Sequence, residues 1–131
     1  MTNFTEVERA YVDSNWVGHL ATASGSGEPD VALVTVVVID DLAVHVVGND
    51  LIGTTKFRNV GNTGRACLMI DDLPSVNPLL PRGIKVSGRA TQQMHQGRAS
   101  IRIIPEKVST WGLTPSGYDG TVTVRDIGPQ T

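Results

Sequence analysis

An almost unbroken apolar run between residues 30 and 39 constrains the fold of this chain more than any other stretch. It contains the sequence Val-Ala-Leu-Val-Thr-Val-Val-Val-Ile, and residues branched at Cβ favour extended backbone because their side-chain rotamers are restricted. The run scarcely alternates between apolar and polar positions. It therefore predicts a strand buried on both faces, as in a barrel wall that also meets another layer or another subunit. Asp40-Asp41 predicts a tight turn, and residues 42–47 predict the second strand of a hairpin.

Shorter apolar runs separated by Gly, Asn and Asp predict the remaining strands. With 14 Gly and 7 Pro in 131 residues, the composition favours short strands and tight turns over a helix bundle. The proline-containing segment 73–81 is expected to form a loop, because proline interrupts a regular strand ladder. The further predicted strands are 19–24, 65–70, 82–92, 99–104 and 107–111.

Two helices complete the expected fold. Thr5-Glu-Val-Glu8 has the spacing of a capping box and predicts a helix over residues 6–15. A second, short helix is expected over residues 51–60. The fold class is therefore mainly β: a small, mostly antiparallel barrel of about six strands in one domain, 1–131, with a tail, 114–131, loosely held or swapped onto a partner. Residues expected on one face of the first helix are Val7, Ala10, Tyr11 and Ser14.

Charge and composition exclude several classes of protein. A formal charge of −2 argues against a chain that coats nucleic acid. A single cysteine, Cys67, excludes an internal disulfide framework, and neither a signal peptide nor an apolar run of membrane-spanning length is recognisable. We therefore expect a cytoplasmic protein without a nucleic-acid or membrane partner.

The start of the second helix is the clearest candidate for a binding site. A helix N-terminus offers free amides and the positive end of the helix dipole, and nearby cations add to the attraction for an anion. The phosphate-binding candidates are Thr54, Thr55, Lys56 and Arg58. The more ordinary explanation is an N-cap threonine followed by solvated charges.

Other residues that often carry chemistry form no recognisable site. The three histidines have no ligand spacing among themselves or with Cys67, so no metal site is expected. His45 is expected to be a surface or interface imidazole, and Cys67 an inert core thiol. Side chains of adjacent aspartates diverge in extended chain, so Asp40-Asp41 and Asp71-Asp72 are not expected to act as acid–base pairs.

The order of motifs along the chain resembles the pyridoxamine-5′-phosphate-oxidase-like split β-barrel proteins, and most closely the actinobacterial flavin/deazaflavin oxidoreductases that depend on coenzyme F-420. The resemblance covers residues 4 to about 113. Single motifs are weakly specific, but their order and spacing together are specific. The motifs are Phe4-Thr-Glu with Tyr11, Gly18-His-Leu-Ala-Thr22, Gly27-Glu-Pro29, Thr54-Thr-Lys-Phe-Arg-Asn-Val60, Asp71-Asp-Leu73, Pro81-Arg-Gly83, Gly88-Arg-Ala90, Ile101-Arg-Ile-Ile-Pro105 and Ser109-Thr-Trp-Gly-Leu113.

The resemblance implies a homodimer that holds FMN or the related ring of F-420 in a groove between subunits. The family's ring-lining strand corresponds here to Leu33, Val34 and Thr35, and its phosphate-binding segment to Thr54, Lys56 and Arg58. The chain departs from the family pattern at His19, Thr55 and Leu79, where charge or stacking area is lost. Two further residues have open roles. Arg82 reaches the ring or an acidic tail or is an edge-strand charge, and Trp111 stacks near the cofactor, closes the dimer or is simply packed.

The function implied is reduction of an electron-poor small molecule by hydride transfer from reduced F-420, since the cofactor carries this chemistry. A second function that the residues allow is that of an FMN-binding reductase or oxidase. True pyridoxamine-phosphate oxidase activity is not expected, because its C-terminal Arg-x-His motif is missing from residues 107–131. The residues also allow a non-catalytic flavin or deazaflavin carrier, or a barrel that has lost its site and only dimerises.

Overall fold

A single curled antiparallel sheet with two helices accounts for residues 2–128, which the computed structural model describes. The mainly β class is confirmed. The helices are α1 (Glu6–Ser14) and α2 (Thr55–Thr63), and a 3-10 turn (Leu51–Gly53) precedes α2. The strands are β1 (Gly18–Ala23), β2 (Pro29–Val34), β3 (Val37–Ile39), β4 (Val44–Val47), β5 (Arg65–Val76), β6 (Leu79–His95), β7 (Arg98–Trp111) and β8 (Thr123–Asp126).

The strand order explains why the sheet curls into a split barrel. Along the sheet the order is β2-β1-β5-β6-β7-β4-β3, and β8 pairs with β7. Strands β2 and β3 lie at opposite ends of this path, yet only Thr35 and Val36 separate them in sequence. Because two residues can span only about 7 Å, the two ends of the sheet must approach each other. The apolar core inside the curl includes Leu20, Ile70, Val86, Ile101 and Ile103, which are fully buried.

The strand predicted over residues 30–39 is divided in two. The ladder breaks at Thr35 and Val36, where the chain passes from one end of the sheet to the other. The expected burial on both faces is not found within the chain, since the side chains of Val31 and Leu33 are 68% and 61% exposed. This division, together with β8, raises the number of strands from the expected six or so to eight.

The predicted loop over residues 73–81 is wrong, because β5 and β6 continue into it as a hairpin. Ser75 pairs with Leu80 and Val76 with Leu79. Prolines are tolerated because the ladder is irregular between Asp72 and Ser75 and because Pro78 lies in the turn. Likewise, β7 runs through Pro105 as one strand, with a register shift opposite Ser87 and Gly88.

The N-terminal helix ends one residue earlier than predicted, and its buried face differs from the prediction. The predicted capping box is present: the Thr5 side chain accepts a hydrogen bond from the Glu8 amide at 3.1 Å, and the Glu8 carboxylate accepts one from the Thr5 amide at 2.9 Å. Val7 and Ala10 are exposed, whereas Glu8, Tyr11 and Val12 are buried. The buried face of α1 differs from the predicted one because buried residues of the helix make polar contacts: Glu8 with Arg125 and Tyr11 with Asp72.

Residues 123–126 of the predicted tail form strand β8. Strand β8 pairs with β7, and Arg125 reaches back to the N-terminal region. Its guanidinium donates to the Glu8 carboxylate at 2.6 Å and to the Asn3 carbonyl at 2.9 Å. Part of the predicted tail, residues 129–131, lies outside the described residues.

Candidate functional site

A cavity of about 220 Å³ lies where the end of β2, the end of β4 and the start of α2 meet. Its floor is largely apolar and includes Val46, Val47 and Leu51. Asp50 also lines the cavity and was not singled out from the sequence. The residues predicted to bind a cofactor that line this cavity are Leu33, Val34, Thr35, Thr54 and Lys56.

The local sequence explains how these elements are brought together. A backbone hydrogen bond of 3.1 Å from the Val47 amide to the Val36 carbonyl holds the end of β4 against the β2–β3 connection. The 3-10 turn then leads directly into α2. The 22 residues between Leu33 and Thr54, both included, are thus folded back so that a strand end and a helix start share one cavity.

The first turn of α2 is capped by Thr54. The Thr54 hydroxyl donates to the Leu51 carbonyl at 2.6 Å, and its oxygen accepts from the Phe57 amide at 3.3 Å. Because the hydroxyl hydrogen is already used, Thr54 has no side-chain donor left for an anion. The amides of Thr55 and Lys56 precede the first intrahelical hydrogen bond of α2, so they are the free donors at this helix start.

The two predicted cations of α2 have different surroundings. Lys56 is partly buried and lines the cavity, whereas Arg58 is exposed. The Arg58 guanidinium lies 3.4 Å from the Thr55 hydroxyl oxygen, and neither of these residues lines the cavity. Among residues 2–128, Lys56 and Arg58 form no salt bridge. The structure therefore brings Lys56 to the cavity and leaves Arg58 on its outer side.

Two side-chain amides fix α2 on the sheet. Asn59 is buried and donates to the buried Thr22 hydroxyl of β1 at 3.1 Å. Gln92 of β6 donates to the Phe57 carbonyl at 2.9 Å. The helix ends at Gly64, whose φ of 70° is in the left-handed region that favours glycine. These contacts hold α2, and with it the backbone of Lys56, against the sheet.

Arg82 lies elsewhere, in a polar cluster with Tyr11 and Asp72. Its Nε and Nη2 donate to the two Asp72 carboxylate oxygens at 2.8 and 3.0 Å, and the Tyr11 hydroxyl donates to Asp72 at 2.7 Å. The guanidinium carbon is 5.4 Å from the centre of the Tyr11 ring. These hydrogen bonds, from Arg82 above all, lower the pKa of Asp72. Burial and the bond to Asp72 raise the pKa of Tyr11, so its hydroxyl keeps its proton at neutral pH.

Trp111 and Arg82 are outside the 220 Å³ cavity. Trp111 is partly buried, pairs with Gly83 across β6 and β7, and lies so close to that glycine that a Cβ there would overlap the indole ring. Arg82 lines a separate groove of about 510 Å³ between α1 and residues 112–115. Within one chain the structure therefore places five of the nine predicted cofactor-binding residues at the cavity and leaves Thr55, Arg58, Arg82 and Trp111 outside it.

His45, predicted to be a surface or interface imidazole, is buried within the chain, so the surface alternative is wrong. Its Nε2 is 2.8 Å from Asp40 Oδ2, and its ring centre is 4.8 Å from that of His95. Burial opposes ionisation of Asp40, but hydrogen bonds from His45 and from the Leu42 and Ala43 amides lower its pKa on balance. The imidazole can be buried because one of its ring nitrogens forms a hydrogen bond with the Asp40 carboxylate.

The remaining candidates add no site. Cys67 is partly buried on β5, and burial raises the pKa of its thiol. In the described part of the chain, no three His, Cys, Asp or Glu side chains are grouped so that they could hold a metal ion. No helix within residues 2–128 has the length and apolar character needed to cross a bilayer.

Comparison with known proteins identifies similar sequences and folds. Residues 4–112 match the family model described as pyridoxamine 5′-phosphate oxidase. A 5a,11a-dehydrotetracycline/5a,11a-dehydrooxytetracycline reductase from Streptomyces rimosus is 30% identical over 133 residues, covering 95% of this chain and 93% of that protein.

Two solved structures illustrate the likeness of fold. A heme binding protein from Mycobacterium smegmatis has a TM-score of 0.71 at 16% identity, and the alignment covers 96% of this chain but only 60% of that one. A structure described as an F420 reductase has a TM-score of 0.62 at 16% identity, covering 81% of this chain and 98% of that one. At these identities the structural likeness concerns the fold alone.

Proposed function

The chain belongs to the pyridoxamine 5′-phosphate oxidase family, and we propose that it is an oxidoreductase that uses reduced coenzyme F-420 to reduce an electron-poor small molecule by hydride transfer. One observation carries the proposal: an apolar strand end, Leu33 to Thr35, and two residues of a helix start, Thr54 and Lys56, line one cavity. The 30% identity to a protein named as a reductase supports reduction as the reaction class.

The donors at the start of α2 fit a phosphate group. The amides of Thr55 and Lys56 have no intrahelical acceptor, and Lys56 lines the cavity at the same helix start. Backbone amides and a cation at a helix N-terminus together suit an oxyanion. In the proposed complex, these groups hold the phosphate of the cofactor, while Arg58 attracts its acidic tail from outside the cavity.

The end of β2 fits a flat ring. Leu33 and Val34 provide apolar surface, and Thr35 provides the single polar side chain at this end of the strand. Bound reduced F-420 would supply the hydride. The chain's own contribution is then to hold and orient the ring, to exclude water and to leave one face open to the acceptor. Such a role requires no acid–base pair of the protein.

We further propose that a second copy of the chain completes the site. A cavity of about 220 Å³ is smaller than the 300–1,000 Å³ or so of a typical ligand pocket. The neighbouring side chains of Val31 and Leu33 are 68% and 61% exposed on an edge strand, and exposed apolar surface of this kind marks interaction sites. A homodimer would cover these side chains and deepen the cavity.

FMN is the second candidate cofactor, because its phosphate suits the same amides and the same ammonium. The two can be distinguished by titrating the purified protein with F-420 and, in parallel, with FMN, following fluorescence at low and moderate salt. Preferential, salt-sensitive binding of F-420 supports the proposal. Preferential binding of FMN moves the protein to the flavin-dependent branch, and binding of neither refutes the proposed function.

The role of Lys56 can be tested in the same titration. Loss of a charge-assisted hydrogen bond costs about 1.5–3 kcal/mol, so Lys56→Ala is expected to weaken F-420 binding about tenfold or more at low salt. Lys107→Ala is the matched control, because Lys107 is an exposed lysine of β7 that does not line the cavity. Unchanged affinity in Lys56→Ala would contradict the phosphate assignment.

A further inference from the structure

Asp50 is the unexplained residue of the 220 Å³ cavity. It lies in the turn between β4 and the 3-10 turn and lines the cavity wall that also contains Lys56. Although Asp50 occupies the N-cap position of the 3-10 turn, its side chain makes no capping hydrogen bond. It also forms no salt bridge with any residue in 2–128. The proposed anion site therefore contains a carboxylate that forms no capping hydrogen bond and no salt bridge among residues 2–128.

The effect of Asp50 on the cavity is electrostatic. Asp50 and Lys56 are the two ionisable side chains that line it, so the net charge of the lining is near zero, and Asp50 opposes the attraction that Lys56 and the amide donors offer to an anion. The attraction between a wall and an ion grows in proportion to the ion's charge. The cost of removing water from the ion grows with the square of that charge. A wall of nearly zero net charge therefore disfavours a doubly charged anion much more than a singly charged one.

This difference separates the two candidate cofactors. The phosphate of FMN is a monoester whose second pKa is about 6, so at neutral pH it is mostly a dianion. The phosphate of F-420 is a diester and carries one negative charge. We propose that Asp50 is a specificity-determining residue that selects a phosphodiester over a phosphomonoester, and hence F-420 over FMN. The inference rests on the proposed function, because it assigns the phosphate to this cavity.

The test replaces Asp50 by its neutral isostere and measures three ligands. Dissociation constants of F-420, FMN and riboflavin are measured by fluorescence titration at about pH 7.5, where the FMN phosphate is mostly a dianion, and at low salt for the natural sequence and for Asp50→Asn. Riboflavin has no phosphate and reports on the ring alone. Asp13→Asn is the matched control, because it makes the same change in net charge at an exposed position of α1 that does not line the cavity.

The expected result is selective tightening of FMN binding. Removing one unit of charge repulsion at close range in a partly exposed site corresponds to about a tenfold change for a dianion and about threefold for a monoanion. Riboflavin affinity is expected to stay unchanged, and Asp13→Asn is expected to behave as the natural sequence. Lowering the pH to about 5 protonates the FMN phosphate once, so the advantage that Asp50→Asn gives to FMN should shrink.

Further outcomes separate this inference from the proposed function. The role of Asp50 is overturned if Asp50→Asn binds FMN and F-420 more tightly by the same factor, or if it changes the affinity for neither. It is also overturned if the natural sequence binds FMN more tightly than F-420. If the natural sequence binds neither cofactor and Asp50→Asn gains FMN binding, the discrimination of Asp50 against a phosphomonoester stands, and the use of F-420 is refuted. If neither protein binds either cofactor, both proposals are refuted.

Discussion

At the scale of single residues, pairing decides what a charged side chain is available to do. Arg82 is a conspicuous cation in the sequence, but its bidentate contact with Asp72 balances its charge. Lys56 and Arg58 have no such partner among residues 2–128. The two groups of cations look alike in the sequence. Only the structure distinguishes the paired guanidinium from the unpaired ammonium.

The Tyr11–Asp72–Arg82 cluster predicts a specific acid sensitivity. Hydrogen bonds place the pKa of Asp72 below its unfolded value of about 3.9. The native protein then binds fewer protons than the unfolded one across that interval, so the stabilisation by Asp72 is complete above about pH 4 and is lost as the pH falls through the folded pKa. In urea titrations, Asp72→Asn should lose less stability between about pH 5 and pH 3 than the natural sequence.

The neighbouring carboxylate provides the control for this prediction. Asp71 is exposed, and among the described residues its side chain makes no hydrogen bond comparable to those of Asp72. Asp71→Asn should therefore retain the pH dependence of the natural sequence. An identical pH dependence in Asp72→Asn would show that the cluster contributes nothing to acid stability.

Residue chemistry predicted part of the candidate site and missed part. Thr54 and Lys56 could be predicted because a threonine cap followed by a lysine is a local pattern. Leu33, Val34 and Thr35 were predicted from the family resemblance. Asp50 could not, because its importance depends on the folding of β4 toward α2. The division of Arg82 and Trp111 from the cavity likewise depends on strand order, which local sequence does not encode.

At the scale of elements, local signals predicted the right structure where the element is local. The capping box of α1 acts within one turn of helix, so this helix could be predicted to within one residue. The second helix was predicted over residues 51–60, whereas the structure has a 3-10 turn at Leu51–Gly53 and α2 at Thr55–Thr63, which ends before Gly64. The break at Thr35 and the pairing of β8 depend on partners that are distant in sequence. Proline was misleading in the 73–81 segment, because a ladder irregularity removed the need for its missing amide hydrogen.

Two glycines at element contacts are expected to differ in their tolerance of a methyl group. A Cβ on Gly88 of β6 would overlap the Ile104 carbonyl and the Glu106 amide, which are backbone atoms of β7. A Cβ on Gly61 of α2 would meet only the far end of the flexible Gln92 side chain. Gly88→Ala is therefore expected to lower the free energy of unfolding by about 2 kcal/mol or more.

Gly61→Ala is the comparison variant. Alanine improves helix propensity by about 1 kcal/mol, while displacement of Gln92 loses a hydrogen bond worth about the same. The net change should lie within about 1 kcal/mol of zero. Denaturant titration measures the free energy of unfolding of both variants. Equal losses would mean that the β7 backbone next to Gly88 can move aside as easily as the Gln92 side chain does next to Gly61.

At the scale of the whole molecule, the exposed edge of β2 predicts self-association. Val31 is 68% exposed but does not line the cavity, so its replacement separates association from direct ligand contact. Val31→Glu is expected to shift the protein from dimer to monomer in light scattering at micromolar concentration, because a buried unpaired carboxylate is costly. Weaker cofactor binding should accompany the shift if a second copy completes the cavity.

The control for this prediction is a valine of similar exposure on another strand. Val124 of β8 is 55% exposed, and Val124→Glu should leave the oligomeric state unchanged. A natural sequence that is monomeric at micromolar concentration would refute the dimer. Dissociation caused by Val124→Glu alone would place the interface on β8 instead of β2.

The contact between Arg125 and Glu8 also bears on how long the native state persists. It joins residues separated by 117 positions, whereas β6 and β7 are joined by a turn of two residues. Closing a long loop costs more entropy than closing a short one, so contacts of low sequence separation tend to form first. An interaction made after the folding barrier slows unfolding and leaves the folding rate nearly unchanged. We therefore expect the bond between the C-terminal strand and the first helix to affect the lifetime of the folded molecule more than the speed at which it forms.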